Sequence, residues 1–140
     1  MRAVTIAENP DATESLCEDI ASLYTSIGWG EGYTTEAIRS ALAHTGYCLV
    51  ALNEKGRVIG LLRAFTDGVF VTWLGECAVA EAYRKQGVGT ALMQAFLEKF
   101  AHTAIYLEAF TQSRQFFERC GLRENTRLAA FSRKRLTGKG

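Results

Sequence analysis

The sequence predicts a mixed α/β fold, a central sheet flanked by helices, in the order β-α-α-β-β-β-α-β-α-β-β. Three observations predict it. Apolar residues recur at three- and four-residue spacing in some stretches and alternate in others, the two periods of helix and strand. Two turn signals, Asn53-Glu54-Lys55-Gly56 and Asp67-Gly68, divide three apolar runs into an antiparallel meander. A helix-patterned stretch at 88–101 then joins the strand ending at Val79 to another at 103–109, the order of a crossover between neighbouring parallel strands.

Residues 3–7 alternate as a short strand, which Asn9-Pro10-Asp11 ends, with Asp11 offered as the N-cap of a helix. Leu16, Ile20, Leu23, Tyr24 and Ile27 form the apolar stripe of that helix over 12–27, and Gly28 stops it. A glycine-broken loop, Gly28-Trp29-Gly30-Glu31-Gly32-Tyr33, leads to Thr34, the N-cap of a second helix that runs to His44. The meander follows as strands at 47–52, 57–65 and 69–79; the Asp67-Gly68 turn is the dipeptide best suited to two positive φ angles. Val88, Leu92, Ala95, Phe96 and Phe100 are in register on the crossover helix. Gln112 to Cys120 reads as a last helix, stopped by Gly121, and 122–133 as a closing pair of short strands.

A chain of 140 residues, 48% apolar with a single Pro, is one domain's worth and should bury roughly 68% of its unfolded surface. The expectation is a single domain over 1–140 with a basic tail at 134–140. Sixteen Lys and Arg against fifteen Asp and Glu give a net charge of +1, without the global field of a dedicated nucleic-acid binder. The basic residues after 122 (Arg123, Arg127, Arg133, Lys134, Arg135 and Lys139) read as a solvated strand and tail. No apolar run is long enough to span a bilayer and no leader pattern opens the chain, so neither a nucleic acid nor a membrane is expected as partner and the expected location is cytoplasmic. Cys17, Cys48, Cys77 and Cys120 contain no CxxC pair, and His44 and His102 lie outside ligand spacing. No metal site is expected, and each cysteine reads as a small buried hydrophobe.

The segment Arg84-Lys85-Gln86-Gly87-Val88-Gly89-Thr90 opens the crossover helix. Gly87 and Gly89 lack Cβ atoms and admit close backbone approach, the first-turn N–H groups point outward, and Arg84 and Lys85 add positive charge. Together they make an anion cradle. It is not a GxGxxG loop, because Leu92 stands at the third glycine, and no Gly-Lys-Ser/Thr of a P-loop occurs.

From Cys77 to Met93 the sequence closely resembles the acetyl-CoA signature of the GNAT superfamily of N-acetyltransferases: a strand ending in Val79, then Tyr83-Arg84, Gln86-Gly87 and Gly89. Strand 105–109 followed by Gln112-Ser113-Arg114-Gln115-Phe116-Phe117 and Gly121-Leu122 is similar to a second motif of that superfamily. The resemblance runs from about residue 3 to 133, and implies a GNAT-like acyl-CoA N-acyltransferase fold with acetyl-CoA as cosubstrate.

The resemblance further implies that Cys77, Ala78 and Val79 pair with the pantetheine arm like an added strand, leaving the Val79 amide to polarise the thioester carbonyl, while Arg84, Lys85, Gln86, Gly87, Val88, Gly89 and Thr90 hold the pyrophosphate. Ser113 and Phe116 would flank the pantetheine and the acetyl end. Glu76 is at the position where the family often carries a carboxylate base, acting directly or through water, with Glu108 in reserve. An amine acceptor with a pKa near ~10.4 must lose a proton before it attacks. Phe117 departs from the family, which commonly has a proton-donating Tyr there; Tyr106 and Tyr83 are the candidate substitutes. Trp29, Glu31 and Tyr33, on the loop that usually walls the acceptor pocket, suit a cationic or aromatic amine. The implied reaction is direct acetyl transfer to a primary amine in a ternary complex, with a small molecule as acceptor and a homodimer as the implied assembly. The alternatives are a protein or peptide N-acetyltransferase and a non-catalytic acyl-CoA-binding or interaction module.

Overall fold

The computed structural model describes residues 3–30 and 32–136. The chain divides into two compact units, Met1–Leu107 and Glu108–Gly140.

In the first unit β1 (Thr5–Glu8) is followed by α1 (Glu14–Ser26) and α2 (Thr35–Ala43). The N-cap of α1 is Thr13, whose Oγ1 accepts the Leu16 N–H at 3.1 Å. Asp11, expected in that role, instead uses its carbonyl to accept the Thr13 N–H at 2.9 Å, so the helix begins one short turn later. Thr34 caps α2 as expected, accepting the Ala37 N–H at 3.1 Å.

β2 (Tyr47–Leu52), β3 (Val58–Thr66) and β4 (Val71–Val79) form the antiparallel meander; α3 (Val88–Lys99) then crosses to β5 (Ala104–Leu107), which pairs parallel to β4. The sheet order is β1-β2-β3-β4-β5. The turn between β3 and β4 differs from the expected tight hairpin. Of its two central residues only Gly68 has positive φ, and the Asp67 carboxylate accepts the N–H groups of Val69, Phe70 and Val71 at 2.7–3.1 Å. These donors hold the Asp67 carboxyl below its ordinary range, and they support a longer loop that delays β4 to Val71.

The sheet has a packed layer on each face. Cys17, Ile20, Leu23 and Tyr24 of α1 and Ile38 of α2 bury Cys48, Val50, Leu61 and Ala78 on one side. Because side chains alternate along a strand, Leu49, Leu62 and Leu74 turn to the other side, toward buried Leu92, Met93 and Phe96 of α3. Gly60 allows this close approach: a Cβ there would meet Leu92, Ala51 and Val88 at 3.2–3.3 Å.

A register shift interrupts the meander. Glu76 opposes Arg63 and Leu74 opposes Ala64, so Gly75 is an extra residue on β4, a β-bulge that reverses which face the side chains before it occupy. A Cβ on Gly75 would meet the Phe65 ring at 2.9 Å, so only glycine fits this arrangement without a shift.

The second unit holds a 3-10 turn, Thr111–Ser113, and α4 (Arg114–Arg119), so the single helix expected at 112–120 is split. Gly121 ends it at φ 94°, and Arg114 pairs with Glu124 at 2.9 Å. The closing pair of strands expected at 122–133 is absent among the described residues, which shortens the order to β-α-α-β-β-β-α-β-α. Asn125 makes a turn here by accepting the Arg127 N–H at 3.0 Å, and Leu128 and Phe131 are exposed. Lys134 to Leu136 are exposed; the remainder of the expected tail lies outside the described residues.

Candidate functional site

Most of the candidate residues lie on the second half of β4 and the turn into α3. The β4–β5 ladder ends at Leu74 and Leu107, and among the described residues no strand pairs with that edge of β4 at 75–79. The Ala80 N–H donates to Ile59 on β3 at 2.8 Å. Successive peptide groups of an extended strand face opposite ways, so the Val79 N–H and C=O point away from β3, toward the open edge. The Val79 carbonyl accepts there from Arg84 Nε at 3.1 Å.

The loop at 84–87 is exposed and strained in the sense its glycine answers. Lys85 adopts φ 62° and Gly87 φ 85°, the left-handed region, and Gly87 caps α3 without offering a side chain. The first-turn N–H groups of α3 are thus left to an outside acceptor, with Arg84 and Lys85 beside them. Val88 alone of this segment is buried, anchoring the helix on the sheet.

Glu76 sits on the α1 side of the sheet and is 9% exposed. Its Oε1 accepts from the Tyr24 hydroxyl at 2.7 Å and from Arg63 Nε, and Arg63 Nη1 reaches Thr45 Oγ1 at 3.3 Å. The ion pair fixes the orientation of the carboxylate. Burial, then the neighbouring carboxylate, push the Tyr24 hydroxyl above its ordinary value, so it remains a protonated donor. The Tyr24 ring stacks on Trp29 at 5.2 Å and lies 4.7 Å from Tyr33. Trp29 and Tyr33 are about two-fifths exposed. The structure therefore gathers Glu76, Trp29 and Tyr33 around one side chain, Tyr24, whose spacing marks it as part of the core stripe.

The sequence profile of the acetyltransferase (GNAT) family matches residues 14–122. The chain belongs to the GNAT acetyltransferase family. The fold is shared by many solved structures, among them the following three. A candidate acetyltransferase of Deinococcus radiodurans R1 superposes with TM-score 0.79 at 22% identity, covering 96% of this chain and 92% of the other. The glucosamine-6-phosphate N-acetyltransferase of Arabidopsis thaliana gives 0.77 at 12% identity, with 96% and 99% covered. The aminoglycoside antibiotic 6′-N-acetyltransferase of Acinetobacter baumannii gives 0.69 at 21%, with 94% and 99% covered. Comparison with curated sequences gives no match.

The remaining residues that the GNAT resemblance singles out are placed as follows. Glu31 lies outside the described residues. Glu108 does not sit on the strand next to β4: β5 ends at Leu107, and Glu108 opens the second unit. Within that unit Ser113 and Phe116 are half-buried, and the Phe116 ring packs edge-on against Phe117 at 5.0 Å. Of the two tyrosines considered in place of a donor at 117, Tyr83 accepts from Asn53 Nδ2 at 3.3 Å, while Tyr106 is exposed and stacked on Trp73. Burial pushes the Cys48 thiol up to about 12 and raises Cys120 also, so neither is an activated nucleophile.

Sequence reasoning missed Arg63 and the hydrogen bond that the Tyr24 hydroxyl makes. One signal was present: Arg63 is the lone charge in the otherwise apolar strand Val58–Thr66, and a half-buried charge requires a partner.

Proposed function

We propose that this GNAT-family chain is an acetyl-CoA-dependent N-acetyltransferase that moves the acetyl group to a primary amine of a small molecule by direct attack in a ternary complex. The observation that carries this reading is the Val79 N–H turned to the open edge of β4, three residues from a carboxylate held by Tyr24 and Arg63.

In this reading Cys77–Val79 pair with the pantetheine arm along that edge, and the amides of 84–90 with Arg84 and Lys85 hold the pyrophosphate. Ser113 and Phe116 flank the pantetheine. The acceptor enters beside Trp29 and Tyr33, and Glu108 remains a secondary candidate for contact with it. Glu76 takes a proton from the ammonium, directly or through water. Tyr24 and Arg63 hold this carboxylate through Oε1. The amine nitrogen then bonds to the thioester carbon, and the oxyanion is stabilised by the Val79 N–H, an effect of up to ~3–4 kcal/mol in oxyanion holes. The C–S bond breaks, the sulfur leaves with the electron pair, and the nitrogen gives its second proton to water, so that a neutral amide remains. With a thiol pKa of about 8.5, CoA departs as a thiolate and takes its proton from solvent, so Phe117 is no obstacle.

The test is release of free CoA thiol during incubation with acetyl-CoA and a panel of arylalkylamines, polyamines, amino acids and short peptides. Small-amine-dependent release supports the assignment. Turnover confined to peptides would move the acceptor to a protein, and tight acetyl-CoA binding without turnover would make the chain a binding module.

A further inference from the structure

The α1-side face of the sheet carries a second group of aromatic residues that the scheme above leaves unused. Phe65, Trp73 and Tyr106 are direct neighbours across β3, β4 and β5, Phe65 opposite Trp73 and Trp73 opposite Tyr106. They form a row of rings across the sheet. Trp73 and Tyr106 stack at 5.7 Å with an interplanar angle of 19°, and the three side chains are 38–45% exposed. Large apolar side chains lined up on an uncovered face mark a binding surface more often than singly scattered ones do.

The Gly75 bulge connects this row to Glu76. Residues three apart on a regular strand point to opposite faces, but the extra residue puts Trp73 and Glu76 on the same one. Phe65 follows Arg63 by one pleat, ~7 Å along β3, and its ring occupies the space over Gly75 that a side chain would fill. The row therefore starts where the Arg63–Glu76 pair ends. Its flat π faces suit a ring and attract a nearby cation, and the adjoining carboxylate complements an ammonium. Three side chains in a row match a small ligand.

We propose that Phe65, Trp73 and Tyr106 seat the aromatic ring of the acceptor, which is therefore an arylalkylamine whose amine reaches Glu76 through a short alkyl chain. This rests on the reading above that the acceptor nitrogen lies at Glu76. It adds the part of the molecule that sets specificity and names the residues that bind it.

The experiment compares phenethylamine with hexylamine, similar in length but without a ring, in the wild type and in Trp73→Ala. The expected wild-type preference in kcat/KM is at least tenfold for phenethylamine, and the variant should lose about tenfold of that ratio, in line with one aromatic contact. Equal turnover of the two amines, or a preference that survives Trp73→Ala, overturns the proposal. So does a dimer in solution that Trp73→Ala converts to monomer, because a second copy would then cover the face. A binding measurement separates this idea from the catalytic one. In Trp29→Phe the only remaining tryptophan is Trp73, and its emission should shift when phenethylamine is added in the presence of CoA, whether or not any amine is acetylated. An unshifted spectrum overturns the seat even where turnover is found; a shift without turnover supports the seat and removes the catalytic reading.

Discussion

Replacing Tyr24 with Phe removes one hydroxyl and keeps the ring that stacks on Trp29 and Tyr33. The hydroxyl donates to the buried Glu76 carboxylate at 2.7 Å, and hydrogen bonds to charged groups contribute ~1.5–3 kcal/mol. Tyr24→Phe should therefore destabilise by ~2 kcal/mol and lower Tm by roughly 5–8 °C. Glu76→Gln leaves Arg63 half-buried without its counter-charge, and removing one partner of a buried pair costs ~3–5 kcal/mol. In the double variant the Tyr24 contact has already been weakened, so the two losses should not add. Urea unfolding of the wild type, both single variants and the double variant at neutral pH measures the coupling, expected at ~1–2 kcal/mol. A coupling below ~0.5 kcal/mol, the level of independent sites, would refute the network as an energetic unit.

Gly89→Trp should abolish CoA binding by filling the approach to the first turn of α3; unchanged affinity in calorimetry would displace the proposed cradle. Asp19 is buried, which alone would raise its carboxyl, but the Arg57 guanidinium and the Val58 N–H at 3.0 Å outweigh that and hold it below its ordinary value. The sign follows from linkage: its contribution is present above the unfolded value of ~3.9 and is lost as pH falls through the lower folded value. Asp19→Asn should thus cost ~1–3 kcal/mol at neutral pH, with the difference from wild type shrinking in acid. A deficit in urea midpoint that stays constant down to the acid limit would contradict this.

The local signals worked where local chemistry decides the outcome. Thr34 caps a helix because a hydroxyl beside free N–H groups needs nothing distant, and Gly87 and Gly121 adopt the positive φ that their turns demand. The loop proposed as an anion cradle is likewise local, its parts contiguous from Arg84 to Thr90. The cluster around Tyr24 was only half readable. Trp29, Tyr33 and Glu76 stood out by type, but what joins them depends on register, which is set by pairing energies across strands. Without the Gly75 bulge Trp73 and Glu76 would face opposite sides of the sheet, and no local signal distinguishes Gly75 as a bulge from a plain strand glycine. Tyr24 was hidden differently: periodicity records that a tyrosine faces the core and is silent about its hydroxyl. A buried carboxylate supplies the missing constraint. Glu76 requires donors from the layers that cover it, and Arg63 and Tyr24 lie on two such elements, β3 and α1. In the proposed reaction the same requirement would tie stability to function, because the side chains that make burial of Glu76 tolerable also fix its orientation.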